Sequence, residues 1–307
     1  MGPILLVGAS GQLGSDLGRV LPEVLPDRRV IGLARADLDI TDPDGIERVL
    51  SVHTPRWVLN TAAFHRVDDI ERDPEATRQA FLVNAAAVHH LARACTRHGA
   101  RLLQLSTDYV FSGGQDGGPT GPYDEEAVPA PMCAYGLSKL AGERLIRLAT
   151  RQDRPGEAHV IVRSCGLYGV AGSAGKGGNF VETMLRMARD GKSIRVVDDQ
   201  ITTPTYTLDL AEGIARLVAT NPPGGVYHLS NGGACSWYEF ARRIFAFCGL
   251  TPSLTPITSA EFGAPARRPS PNGVLANSRA VALGVTPLRP WPEALQAYLR
   301  AKGHLAA

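Results

Sequence analysis

The chain has 307 residues, 44% of them hydrophobic and 20% charged, with a formal net charge of +2. That near balance removes any electrostatic case for a nucleic-acid or anionic-membrane partner, and no apolar run of about eighteen residues is present to span a membrane. The length suits one large α/β domain or two smaller ones. The five cysteines are Cys95, Cys133, Cys165, Cys235 and Cys248. Their odd number and the lack of a C-x-x-C pair argue against a disulfide framework or a zinc site, and for a reducing cytoplasm.

The opening segment "MGPILLVGASGQLG" lacks the basic and long apolar regions of a secretory leader, so it reads as a first strand. Continuous apolar runs follow at 4–8, 29–33, 56–60, 101–106 and 159–164. Runs without alternation fit strands of a parallel sheet covered on both faces. Helical patterns lie between them at 12–21, 75–98 and 135–150, with Gly99 ending the long one. This alternation predicts a doubly wound, Rossmann-type α/β fold over residues 1–165. Residues 166–307 read mainly as a smaller substrate-binding lobe, interleaved with later sheet elements at about 194–230. Strands are expected in "IRVVDDQ" and "GVYHLS", and helices at 207–219 and 236–248. The glycine-rich stretch 166–180 reads as a mobile loop.

The first turn, "GASGQLG", places Gly8, Gly11 and Gly14 after a strand and at the start of a helix. In that context Gly8 permits the tight turn, Gly11 lets backbone amides approach a pyrophosphate, and Gly14 lets helix and strand pack closely. The second strand should end at the adenosine ribose, where an acidic residue selects NAD through the 2′-hydroxyl. Here Arg35 stands near that end and suits a 2′-phosphate, which favours NADPH while leaving NADH open. Asp39 and Ile40 could line the adenine pocket.

The fourth strand ends "LSTDYVFSG", which brings Thr107 and Asp108 to a carboxyl end, where open α/β sheets bind ligands. Tyr135 and Lys139 begin the next helix and share one face of it. With a nicotinamide cofactor, a tyrosine can protonate the alkoxide formed on a ketone, provided that its pKa falls toward neutrality. A nearby ammonium favours that fall and can hold the ribose, while the Thr107 hydroxyl polarises the carbonyl.

The segments "LNTAAFHRVDDIE", "FLVNAAAV", "LSTDYVFSG", "YGLSKLAGE", "NFVETMLRMA", "VVDDQITTPTYTLDLA" and "PARRP" join the glycine turn in one resemblance. The chain resembles the extended short-chain dehydrogenases/reductases and, among them, the dTDP-4-dehydrorhamnose reductase (RmlD) family, from residue 4 to about 280. The resemblance implies a catalytic set of Thr107, Tyr135 and Lys139. It implies a cofactor site with Gly11, Gln12 and Leu13 at the pyrophosphate and Ala62 and Ala63 near the adenosine half. Val67, Asp108, Tyr109 and Val110 would line the nicotinamide and sugar side, and Asn179, Thr203, Arg267 and Arg268 would serve the substrate lobe. An arginine pair suits a nucleotide diphosphate. The expected reaction is NADPH- or NADH-dependent reduction of a nucleotide-linked 4-keto-6-deoxy sugar, with dTDP-4-dehydrorhamnose the leading substrate. A sugar-nucleotide epimerase or dehydratase, and a non-catalytic regulatory subunit of the methionine adenosyltransferase type, stay open as alternatives.

Two departures qualify the resemblance. Many rhamnose-pathway reductases read R-T-S-W after the fifth strand, whereas this chain reads Arg163-Ser164-Cys165-Gly166, so the sugar pocket is expected to open or to be refilled. Some relatives hold magnesium at a dimer interface through glutamates. Asp16 occupies the first such position here, and no residue is assigned to metal. A homodimer is compatible with the resemblance.

Overall fold

A computed structural model describes residues 2–149, 159–171 and 178–305. In the first half the chain alternates strand and helix. It runs through β1 (Ile4–Val7), α1 (Gln12–Val24), β2 (Val30–Leu33), α2 (Pro43–His53), β3 (Trp57–Asn60), α3 (Val67–Arg72), α4 (Pro74–Phe81), α5 (Ala87–Arg97), β4 (Arg101–Thr107), α6 (Ala134–Ala149) and β5 (Val160–Ser164). The second half adds β6 (Leu167–Tyr168), α7 (Phe180–Arg189), β7 (Ile194–Val197), β8 (Ile201–Thr202), β9 (Thr205–Tyr206), α8 (Thr207–Ala219) and β10 (Gly225–His228). It closes with β11 (Cys235–Ser236), α9 (Trp237–Phe247), β12 (Leu254–Ile257), α10 (Ser259–Phe262), α11 (Ser278–Ala282) and α12 (Trp291–Ala301).

Six parallel strands form the main sheet in the order β10-β5-β4-β3-β1-β2. The connections diverge between β1 and β3, which leaves a crevice at their carboxyl ends. Alternate side chains of the apolar runs enter two cores. Leu6, Leu59, Leu103 and Val162 pack under α1 and α8, with Leu17, Leu210 and Ile214 closing that layer. Leu5, Val58, Leu102 and Ile161 point the other way, onto Ile46, Val88, Leu91 and Ile146 of α2, α5 and α6. Burial on both faces is why the strands carry no polar alternation. The edge strand β2 is the exception, with partly exposed Val30 and Ile31 and exposed Gly32.

The helix expected over 75–98 is interrupted. Between α4 and α5, residues Leu82–Ala86 form a π-helical turn. The widened turn carries the Asn84 side chain inward, where its amide donates to Ser138 Oγ at 3.0 Å and to the Phe64 carbonyl at 2.8 Å. Its oxygen accepts from the Phe64 amide at 2.9 Å. Hydrophobic spacing cannot reveal one extra residue in a turn, and such turns recur beside functional sites.

The later part divides differently from the expected 194–230 grouping. β10 joins the main sheet, and α8 covers it by packing on α1. β7 does not join: it pairs in parallel with β12 in a separate ribbon. Around that ribbon α7, α9 and α12 bury an aromatic core of Tyr168, Tyr206, Phe240, Trp291 and Tyr298. Residue 150 of the helix expected over 135–150 and residues 172–177 of the expected glycine loop lie outside the described residues.

Candidate active site

The glycine turn folds as a cradle. Gly8 has φ +81°, and a Cβ on Gly14 would lie 2.1 Å from the Gly8 carbonyl oxygen, so a side chain is excluded there. A Cβ on Gly11 would meet only that same oxygen, at 3.3 Å, which leaves the outer side of the turn open. Gly11 begins α1 without a side-chain cap, and no acidic residue stands in the first turn. The free amides around Gln12, Leu13 and Gly14, at the positive end of the helix, therefore fit a pyrophosphate. Arg35 lies just beyond β2 with its side chain 89% exposed, 3.3 Å from Asp39. Asp39 also accepts from the Thr41 amide and hydroxyl at 2.9 and 2.7 Å, and Ile40 is buried in the core. Ile40 thus faces the core, while Asp39 stays partly exposed between Thr41 and Arg35. Ala62 and Ala63 follow β3 beside the crevice, the Ala62 amide held by Asn60 Oδ1 at 3.1 Å.

Thr107, the last residue of β4, donates to Asp108 Oδ1 at 3.0 Å, and its hydroxyl lies near enough to Tyr135 to favour the phenolate. Tyr109 packs edge-on against Tyr135, with ring centroids 5.3 Å apart. Tyr135, Thr107 and Lys139 are only 9%, 7% and 5% exposed, so the reacting groups sit in a nearly dry enclosure. Phe64, Val67, Cys133 and Ala266 complete its wall.

Burial sets the charges. It pushes the Asp108 carboxyl up to about 7 and lowers Lys139 to about 8. Tyr135 is raised, by burial first and then by Asp108, and not lowered as the proposed chemistry assumed. The phenol therefore stands protonated, the form a proton donor needs. Lys139, one turn along α6, does not reverse this shift; its ammonium donates to the Leu105 carbonyl at 2.7 Å.

Three expected contact residues are placed otherwise. Val110 is fully buried with Phe111, Tyr123, Cys165 and Leu275 rather than lining the sugar side. Asn179 caps α7: its oxygen accepts from the Glu182 amide at 3.1 Å, and its nitrogen donates to the Gly169 carbonyl and the Tyr298 hydroxyl, both at 3.0 Å. Thr203 donates to the Gly233 carbonyl at 2.7 Å and is 1% exposed. Arg267 is exposed, whereas Arg268 is drawn inward to Asp68, a residue the sequence did not single out. Asp16 is buried and accepts from the Thr207 hydroxyl at 2.6 Å. Among the described residues no group of three or more His, Cys, Asp or Glu is arranged to hold a metal ion.

Gly166 stands where the pocket was expected to open or to be refilled. It adopts φ +58°, and a Cβ there would lie 3.0 Å from the Thr203 carbonyl oxygen and 3.1 Å from Pro204 Cα. Backbone of Thr203 and Pro204 therefore stands directly against Gly166.

A family model described as the RmlD substrate binding domain matches residues 1–303. The chain belongs to that family. As an RmlD-family member it is 40% identical over 300 residues to the spore coat polysaccharide biosynthesis protein SpsK of Bacillus subtilis, covering 98% of each chain. It is 41% identical over 299 residues to a dTDP-4-dehydrorhamnose reductase of Streptomyces griseus, covering 95% of this chain and 91% of that one. A Bacillus anthracis dTDP-4-dehydrorhamnose reductase solved with NADP superposes with a TM-score of 0.85 at 34% identity, over 98% and 99% of the two chains. No helix among the described residues of this RmlD-family chain is long and apolar enough to cross a membrane.

Proposed function

We propose that the protein is an NADPH-dependent cytoplasmic reductase that converts dTDP-4-dehydrorhamnose into dTDP-rhamnose. The observation that carries this reading is the dry enclosure around Thr107, Tyr135 and Lys139 at the carboxyl end of the sheet, beside the open glycine cradle. The names of the family relatives support the substrate class, and the NADP of the Bacillus anthracis structure supports the cofactor. Arg35, exposed although paired with Asp39 at 3.3 Å, is proposed to meet a 2′-phosphate.

When bound, the cofactor supplies a hydride to the C4 ketone. Thr107 and Tyr135 hydroxyls would hydrogen-bond the ketone oxygen and stabilise the negative charge that develops there. Tyr135, protonated at the outset, gives its proton to that oxygen, and the product is the alcohol. Lys139 holds positive charge next to the phenolate left behind. Arg267 and Arg268 are proposed to receive the diphosphate, as their planar donors favour phosphate oxygens.

The test is purified protein with NADPH and dTDP-4-dehydrorhamnose, following loss of dihydronicotinamide absorbance. Turnover with no 4-keto deoxysugar nucleotide would remove the reading. An epimerase or dehydratase would instead retain oxidised cofactor through purification, which its absorption spectrum reveals.

A further inference from the structure

Lys139 is the buried cation of the site, and its one-turn neighbour on α6 is Glu143. Neither the composition nor the catalytic motif explains why a carboxylate should be buried there. Glu143 and Arg163 each expose only 2% of their side chains. Arg163 Nε donates to Glu143 Oε1 at 3.0 Å and Nη2 to Oε2 at 2.6 Å, and the Ser106 hydroxyl donates to Oε1 at 2.6 Å. The guanidinium also lies over the Phe111 ring, 5.1 Å from its centroid. Three charge-assisted or hydroxyl donors thus fix both oxygens of this one carboxylate.

The arrangement is tied to the site through β4. Leu105 accepts from Lys139, and the next residue, Ser106, holds Glu143. Both α6 side chains are thereby pinned to consecutive residues of one strand. Other polar groups packed on α6 face elsewhere. Asp108 and Thr107 lie on the Tyr135 side, Glu71 of α3 accepts from the Ala134 amide, Asn84 meets Ser138, and His89 of α5 meets the Leu145 carbonyl. Glu143 is the acid that opposes the loss of charge imposed on Lys139 by burial.

Building on the reductase reading, we propose that Glu143, clamped by Ser106 and Arg163, is a positioning residue: the fixed counter-charge that keeps Lys139 an ammonium beside Tyr135. Burial favours the neutral amine, and a neutral lysine could neither steady a phenolate nor donate three hydrogen bonds.

The test reads Lys139 directly. Protein carrying lysine labelled with carbon-13 at Cε is titrated by NMR without cofactor, with Lys139→Met assigning the signal. The wild-type midpoint is expected near 8. Glu143→Gln is expected to lower it by roughly one unit or more, a tenfold loss of proton affinity, and to move the alkaline fall of NADPH binding by the same amount. A merely structural ion pair predicts a lower melting temperature with the Lys139 midpoint unmoved, or raised as water enters; either result overturns the proposal. If Glu143→Gln does not fold, Glu143→Gln with Arg163→Met leaves no orphaned guanidinium and is read in the same way. Wild-type protein that binds no NADPH would defeat the reductase reading, while the lysine titration would still judge Glu143.

Discussion

Arg268 reaches to Asp68 on α3, its Nη2 3.2 and 3.1 Å from the two carboxylate oxygens. Two residues earlier, Ala266 packs in the same cluster as Tyr135, Tyr109 and Val67. The pair therefore straps the 264–270 segment over Tyr135, and a carboxylate occupies the guanidinium proposed for phosphate. Asp68→Asn is expected to lower the KM for the nucleotide sugar by up to about fivefold, since a half-exposed pair contributes about 1 kcal/mol or less. Arg268→Lys should raise KM by about tenfold through loss of the two-pronged contact. Initial rates over a range of substrate concentrations measure both; a higher KM in Asp68→Asn would show that the carboxylate does not compete.

Tyr135→Phe should reduce kcat by about 10²- to 10⁴-fold, the range of a positioned proton donor. NADPH binding, followed by fluorescence, should stay within about threefold of the parent, because the ring packing on Tyr109 is kept. Retained turnover would remove Tyr135 as the acid.

Asp108 and two histidines give stability opposite pH slopes. Asp108 is raised from 3.8 to about 7, so the folded protein holds a proton there that the unfolded chain has lost; its contribution is full below about pH 4 and disappears as pH rises to 7. His159 and His228 are lowered by burial to about 4 and about 3, so their contribution is present above about pH 6.5 and is lost as pH falls through those values. Asp108→Asn should therefore gain stability relative to the parent as pH rises from 4 to 7. Paired melting curves across that window check the sign; a constant difference would contradict it.

Gly166→Trp should not rebuild an aromatic wall. The left-handed backbone and the contact with Thr203 and Pro204 put a Cβ under strain of about 1–3 kcal/mol. A lowered melting temperature for both Gly166→Ala and Gly166→Trp is expected, with no improvement in KM. A Gly166→Trp variant as stable as the parent would show that this backbone relaxes freely.

The parallel sheet was legible because its strands are buried on both faces and therefore read as unbroken apolar runs. The glycine turn, Thr107, Tyr135 and Lys139 were legible because their spacing fixes a strand end, a helix start and one helix face. What escaped was long-range pairing. Nothing near residue 194 indicates that β7 would choose β12 over the main sheet. Asn179 and Thr203 look like ligand groups until their partners, Tyr298 and Gly233, are brought next to them. Glu143 stood in a recognised motif, but its meaning came from Arg163, twenty residues on and two strands' depth into the core.

The placement of α8 and β10 bears on how the chain emerges during synthesis. Leu6, Leu17, Leu103 and Val162 are all made within the first 165 residues, yet Leu210, Ile214 and Leu217, which cover them, come later. The outer strand that protects β5 arrives later still, at Gly225–His228. A nascent chain stopped at residue 165 thus carries one apolar sheet face covered by α1 alone and one unprotected edge, the combination that invites self-association. The main sheet is therefore completed only after roughly three quarters of the polypeptide has left the ribosome.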